Sequence, residues 1–412
     1  MREGKQKLFP VQEIGSIAKP GWRVKGVSES ARLGDEQIAE AMLWGRRLKV
    51  KDYGKLVELL ERRSHSACAP TLEEKNQVRE WSAIYALRLF ESAGLDVVYS
   101  GEQWRVEMYE HLVQNVEGFR LLGSVQSFDN KYYTKAAVIS TPRFVHPIYL
   151  DELKFVQKHT SLQIKVPITG PYTLVEWSFD EFYEKRLKSR SPGTDVQKVS
   201  FKARREFMLD FVGNVLRKEV ELLASSGAKS IQIDEPAITT KPSEPEMELF
   251  VEAINELTHG IDGVTFSLHN CYSDYGLLAR FVPELKDITL LSLEFANRDS
   301  SEYGIDAHSR PGYSDLRLFE DAGYKGSYAL GVEHIHDYMG RPGDPRNAQG
   351  QDILETPELV RDRILYATKV VVDPARIVVN PDCGLRTRSW DVAYSKLLAL
   401  SQGAKLAREA FE

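Results

Sequence analysis

The chain has 412 residues, a formal net charge of −6 and an isoelectric point near 6.0, with 42% hydrophobic and 28% charged residues. That is the composition of an ordinary soluble globular protein, and its mild acidity argues against a nucleic-acid partner, which calls for a clustered basic surface. No apolar run is long enough to span a bilayer, MREGKQKLFP lacks the apolar core of a secretion signal, and three scattered cysteines exclude a disulfide framework; a reducing cytoplasm is the expected setting.

Along the chain, short β-rich apolar runs alternate with helical patterns. The first run, FPVQEIGS (9–16), is followed by a long connection over 17–70, expected to hold one or two extra helices. The helical pattern of 72–94 ends on Gly94, in the manner of a left-handed C-cap. LDVVYSGE (95–102) comes next, and then residues 117–148, whose alternation predicts a β-hairpin excursion. LQIKVPITG (162–170) is the third run. A helix over 204–227, closed by Gly227, leads to KSIQIDEP (229–236). GVTFSLHN (263–270), ITLLSLEF (288–295) and YALGVEHIHD (328–337) follow. After GRPGDPRNAQGQD (340–352), which reads as a mobile loop, Thr356 and Pro357 open a helix as N-cap and first residue. ARIVVNPDCG (375–384) is the eighth run.

Strands alternating with helices predict an α/β fold with a parallel sheet. Nearly every run ends in polar or reactive residues, which is the pattern of a single (β/α)8 TIM barrel whose active site gathers at the C-terminal strand ends. With no internal repeat and no low-complexity segment, one catalytic domain over 1–412 is expected. The basic stretches GRRLKVKDYGK and YEKRLKSR read as solvated helix faces.

His269 and Cys271 are two apart at a strand end, so both side chains can face one point. Taken alone, that pair fits a buried cysteine beside a hydrogen-bonded histidine. Cys383, at another strand end, places a second thiol at the same rim, and Glu294 ends the strand between them. Two thiolates, an imidazole and a carboxylate make a zinc donor set, and their dispersal along the chain fits a catalytic ion better than a compact structural module. Asp234 and Glu235 close the fourth run as acid and base, metal ligands, an ammonium clamp, or an N-capping pair for the next helix. Glu102 ends the second run as a further rim carboxylate, and Ile14, Gly15 and Ser16 end the first where backbone can approach a ligand. Trp177 follows the third run as core or as ligand-facing aromatic surface. His334 and His336 share one side of the seventh run, where a histidine can serve as a general acid near neutral pH.

Together, IGS, SGEQWRVEMYEHL, TGPYTLVEWSF, QIDEP, HNC, SLEF, HIHD and NPDCGLRTR resemble segments of the cobalamin-independent methionine synthase family, in its C-terminal catalytic barrel, from residue 9 to 388. The resemblance implies one zinc ion per chain on His269, Cys271, Glu294 and Cys383. It implies homocysteine held by Ile14, Ser16, Glu102 and Asp234, the pterin of a methylfolate donor stacked on Trp177, and proton donation by His336. The chain has no room for the second barrel of the long enzymes, which helps hold the folate polyglutamate tail, and it departs from their pattern over 122–148. For a short form the donor is therefore either 5-methyltetrahydrofolate or a methyl-corrinoid, possibly on a corrinoid protein. Methyl transfer to the homocysteine thiol, giving methionine, is the expected reaction. The rival is another zinc-dependent thiol alkyltransferase of this fold, of the epoxide–coenzyme M type, whose sulfonate would call for cations where Asp234 and Glu102 stand.

Overall fold

The computed structural model describes residues 7–126, 132–190, 193, 195–240, 242–271, 274–335 and 354–412. His336, Asp337 and the 340–352 segment lie outside the described residues. Eleven strands carry the architecture among these residues: β1 (Val97–Val98), β2 (Val116–Gln126), β3 (Tyr132–Phe144), β4 (Gln163–Ile164), β5 (Val166–Thr169), β6 (Phe179–Asp180), β7 (Ser230–Asp234), β8 (Thr265–Asn270), β9 (Ile288–Leu293), β10 (Ser327–Gly331) and β11 (Ile377–Asn380).

The β5, β7, β8, β9, β10 and β11 strands lie side by side in one parallel sheet. β4 leads into β5 through Lys165 and pairs in parallel with β1. The first predicted run closes the ring: Val11 bridges to Val379 of β11, and Gln12 bridges to Val97 of β1. All eight runs therefore take their places in one parallel barrel, in chain order. The apolar strand residues, such as Ile231, Ile233, Leu268 and Leu291, are fully buried against the surrounding helices, as expected when both faces of a parallel sheet are covered.

The helices follow the sequence signals. Thr71 caps the helix Leu72–Ala93, its hydroxyl accepting from the Glu74 amide while the Glu74 carboxylate accepts from the Thr71 amide. Gly94 ends it at φ 85°, which glycine adopts without steric cost. Thr356 likewise accepts from the Leu359 amide and opens Pro357–Val371. Between residues 17 and 70 there are three helices rather than one or two: Gly21–Val27, Asp35–Arg47 and Gly54–His65. The short first one was hidden because seven residues carry too few periods to read. The helix predicted from 204 starts earlier, at Val196, where Asp195 accepts from the Gln197 and Lys198 amides. Strands β2 and β3 pair antiparallel as the expected hairpin, bulged near Gly118 and Gly123, and β6 adds a short parallel edge. Among the described residues no helix is long and apolar enough to cross a membrane.

Candidate metal centre and substrate pocket

Strand β8 ends at Asn270, which puts His269 on its last turn of pleat and Cys271 directly beyond it, both buried. Cys383 lies three residues past the end of β11. The ligand atoms of His269, Cys271 and Cys383 all lie within 4.8 Å of one another, and the two sulfurs are 3.7 Å apart as free thiols. The Nδ1 of His269 lies 3.2 Å from the Ser292 carbonyl, which sets the ring. Burial pushes the His269 imidazole down, but the adjoining Cys383 outweighs it and the net shift is upward. The hydrogen bond with Cys383 raises the Cys271 thiol first and burial adds to it, so that thiol stands well above its ordinary range. Two sulfurs and an imidazole crowded together in a buried site are a donor set whose protons a divalent cation would displace.

Two backbone clamps bring the strand ends together. Asp382 accepts the amides of Phe295 and Ala296 at 3.0 Å and of Asn297 at 2.7 Å, tying the Cys383 segment to the turn after β9. A side chain at Gly331 would collide with the Asp382 carboxylate, so the β10 neighbour has to be glycine. The Tyr275 hydroxyl accepts the Glu294 amide at 2.9 Å and donates to the Asn270 carbonyl at 3.1 Å, joining β8 to β9. Glu294 is fully buried and takes a hydrogen bond from Asn297 Nδ2 at 2.9 Å. It stands outside the 4.8 Å group, yet it is near enough to help raise the Cys271 thiol.

On the other side of the mouth, Asp234 pairs in register with His269. Gln232 Nε2 donates to Asp234 Oδ1 at 2.7 Å and to the Ile14 carbonyl at 2.6 Å. Lys165 Nζ in turn donates to Gln232 Oε1 at 2.6 Å and to the Glu13 carbonyl at 2.5 Å. Burial raises Asp234 to about 7, against the pull of His269 and with a push from Glu102. Glu13 is buried with both carboxylate oxygens unpartnered, and burial raises it to about 8 despite Lys165. Glu102 sits at φ 54°, a left-handed conformation that costs a side chain of order 1 kcal/mol. It faces Arg105 at 3.6 Å, and Arg105 is held by Glu152 at 3.0 Å and the Pro167 carbonyl at 2.8 Å. A Cβ on Gly15 would stand 3.0 Å from Glu102 Oε1. The Ser16 carbonyl accepts from Leu385 at 2.7 Å, which places IGS against the Cys383 segment.

The paired acids of the fourth run divide their work. Asp234 accepts from Gln232 at the strand end, whereas Glu235 accepts the Tyr172 and Thr173 amides at 2.9 and 2.7 Å, capping the helix Pro171–Trp177 instead of the next one in sequence. Trp177 closes that helix, edge-on to Tyr109 and Tyr133, with the Lys135 ammonium 5.9 Å from its ring centre. His334 is buried, its amide donating to Glu355 at 2.7 Å. The residues that the sequence reading passed over are Glu13, Lys165, Gln232 and Asp382. Three of them sit at alternate, non-apolar positions inside strand runs, in VQEIG, IKVP and IQID, and that polarity is the signal that marks them.

Residues 59–336 and 347–406 match the family described as the cobalamin-independent synthase catalytic domain. The chain belongs to that family. It is 36% identical over 399 residues to the methionine synthase of Thermoplasma acidophilum, covering 94% of each chain. With the methionine synthase of Pyrococcus horikoshii it shares 30% over 406 residues, covering 98% of this chain and 94% of that one. Among solved structures, a B12-independent methionine synthase from Shewanella sp. W3-18-1, in complex with selenomethionine, superimposes with a TM-score of 0.67. At 20% identity, covering 98% and 99% of the two chains, that likeness supports the fold. These family relatives match over nearly their whole length, so the resemblance in the strand-end motifs extends to the entire barrel.

Proposed function

We propose that this family member transfers a methyl group to the thiol of homocysteine, giving methionine, with one zinc ion on His269, Cys271 and Cys383 and with Glu294 as the fourth ligand. The convergence of His269, Cys271 and Cys383 within 4.8 Å at the barrel mouth carries the reading. When bound, a zinc ion in such a donor set lowers the pKa of a thiol substrate and keeps its sulfur nucleophilic near neutral pH. Methionine synthase relatives of full length support homocysteine as that thiol.

The chain's own groups supply the rest. Asp234 and Glu102 offer carboxylates to the substrate ammonium, a charge-assisted contact in a buried setting. Gln232 fixes the Asp234 carboxylate and the Ile14 carbonyl with one amide, so that both face the ligand in fixed geometry. An in-line attack on the methyl carbon gains most of its rate from such positioning. Trp177 would present its ring to the donor. With 5-methyltetrahydrofolate, His336 would hand a proton to the leaving amine; with a methyl-corrinoid no such proton is needed. No nucleic acid or membrane enters this scheme, and the cytoplasm fits two free thiols.

Zinc analysis together with methionine formation tests the proposal. Homocysteine is supplied with methyltetrahydrofolate, as mono- or polyglutamate, or with methylcobalamin, with and without a chelator. One zinc per chain and chelator-sensitive methionine are expected. A metal-free protein with full turnover refutes the metal assignment, and no methionine from either donor refutes the reaction. His336→Asn should lower turnover with the folate donor by about 100-fold or more while leaving zinc content unchanged; unchanged folate turnover removes His336 as the acid.

A further inference from the structure

The turn after β9 carries Glu294, and its main chain has little slack. Four consecutive amides are each taken by a side chain from another element. The Tyr275 hydroxyl accepts the Glu294 amide at 2.9 Å, and Asp382 accepts those of Phe295, Ala296 and Asn297 at 3.0, 3.0 and 2.7 Å. Tyr275 also donates to the Asn270 carbonyl, next to Cys271, and Asp382 directly precedes Cys383. The turn is therefore registered against both cysteine segments, and what stays adjustable is the Glu294 side chain. That carboxylate is fully buried, where an ionised oxygen needs a donor. Asn297 Nδ2 supplies one to Oε1 at 2.9 Å. The other end of that amide, Asn297 Oδ1, is buried with no hydrogen-bond partner among the described residues, so the side chain's hydrogen bonding is committed to Glu294. Arg298, the adjacent cation, is drawn off to Asp315 at 2.9 Å and to the face of the Tyr275 ring at 5.1 Å. A guanidinium paired with Glu294 would neutralise it, whereas an amide orients the carboxylate and leaves its charge for a metal cation.

We propose that Asn297 is a positioning residue for the metal. It is not itself a ligand; it fixes the side-chain torsions from which the Glu294 carboxylate is presented to the group of His269, Cys271 and Cys383. How tightly this chain retains zinc is then set in part by a neutral amide behind the ligand. This deepens the zinc reading and rests on Glu294 being the fourth ligand.

The test is a double-mutant cycle on the zinc-loaded protein, read as zinc affinity by competition with a chromogenic pyridylazo chelator. Asn297→Leu keeps the side-chain volume and removes the donor. It should weaken zinc about 10- to 100-fold, the range for a group that orients a ligand. Glu294→Ala should weaken zinc at least as much. In the Glu294→Ala background, Asn297→Leu should change the affinity less than about twofold, because a residue that acts through Glu294 has nothing left to orient. Losses that multiply in the double variant, or an unchanged affinity in Asn297→Leu, overturn the positioning role alone. Glu294→Ala with wild-type zinc affinity overturns the fourth-ligand reading and this inference with it. Unfolding temperatures are compared at saturating zinc. If Asn297→Leu unfolds early, Asn297→Ala takes its place, with the same collapse of the effect expected and multiplying losses overturning the proposal.

Discussion

The two halves of the barrel mouth are built by different means. On the β8–β11 side, His269, Cys271 and Cys383 are placed by what holds their main chain: strand pairing, the Asp382 carboxylate on three amides and the Tyr275 hydroxyl on an amide and a carbonyl. On the side of the first strand, β1 and β7, the acids Glu102 and Asp234 are placed by buried side chains, through Arg105 and Glu152 on one hand and Lys165 and Gln232 on the other. The first half is a set of donors that could hold an ion; the second is a network of charges and amides proposed to hold the substrate. Lesions in the two halves should therefore separate cleanly.

The largest effect is expected on the metal side. Cys383→Ser or His269→Ala removes one of three clustered donors, and both zinc and methyl transfer should be lost, by well over about 100-fold, since even changes behind the ligands cost roughly 10–100-fold. Metal analysis of the purified variant and single-turnover methionine formation check this. If either variant keeps one zinc and normal turnover, the two halves do not divide as described.

The second effect tests the other half. Gln232→Leu keeps the volume but strips Asp234 and the Ile14 carbonyl of their shared donor. It should lower kcat/KM for homocysteine about 10- to 100-fold through lost alignment, with zinc content untouched, and Gln232→Glu should not rescue it because a carboxylate beside Asp234 repels. A variant that loses zinc in step with activity would show that Gln232 serves the whole mouth and not the substrate side.

The same division decides how much was legible in the sequence. The convergence of His269, Cys271 and Cys383 was readable because each stands at or just past the end of an apolar run, where alternation and barrel topology together say which way it points. The eight runs and the hairpin were readable for the same reason: periodicity is a local property. The substrate half was legible only in part. Glu102 and Asp234 stand at run ends, but Glu13, Lys165 and Gln232 are interior strand residues whose meaning depends on partners far away in sequence, as in the Lys165–Gln232 contact. Likewise nothing local told that Glu235 would cap a helix in the preceding βα unit. The short helix Gly21–Val27 escaped because its place is set by Trp22 packing on Tyr85, not by its own pattern.

A smaller effect concerns Trp177, proposed to face the methyl donor. Trp177 is held edge-on by Tyr109 and Tyr133. Trp177→Ala should raise the KM for a folate donor about two- to tenfold, the scale of one lost aromatic contact, with the homocysteine KM unchanged. Steady-state kinetics with each substrate varied in turn separates the two, and an effect on homocysteine alone would move Trp177 to the substrate half.

The last test leaves catalysis aside and asks whether Glu13 carries a proton in reserve. Glu13 is buried, with its oxygens unpartnered, and its carboxyl is raised to about 8 by burial, against Lys165 and with Glu102, Asp234 and Arg105 also nearby. In the unfolded chain the same group titrates near 4.5. Between those values the folded protein keeps a proton that the unfolded chain has released, so stability is full below the lower value and falls as pH rises toward the upper one. The loss runs at about 1.4 kcal/mol per pH unit at most, and ligand-free Lys165 reduces it. Glu13→Gln holds no such proton and should flatten the curve. Its unfolding temperature should match the wild type near pH 5 and exceed it near pH 8.5, in thermal melts without substrate. Parallel curves for the two proteins would mean that Glu13 is ionised in the fold, paired with Lys165 as a fixed charge of the substrate half.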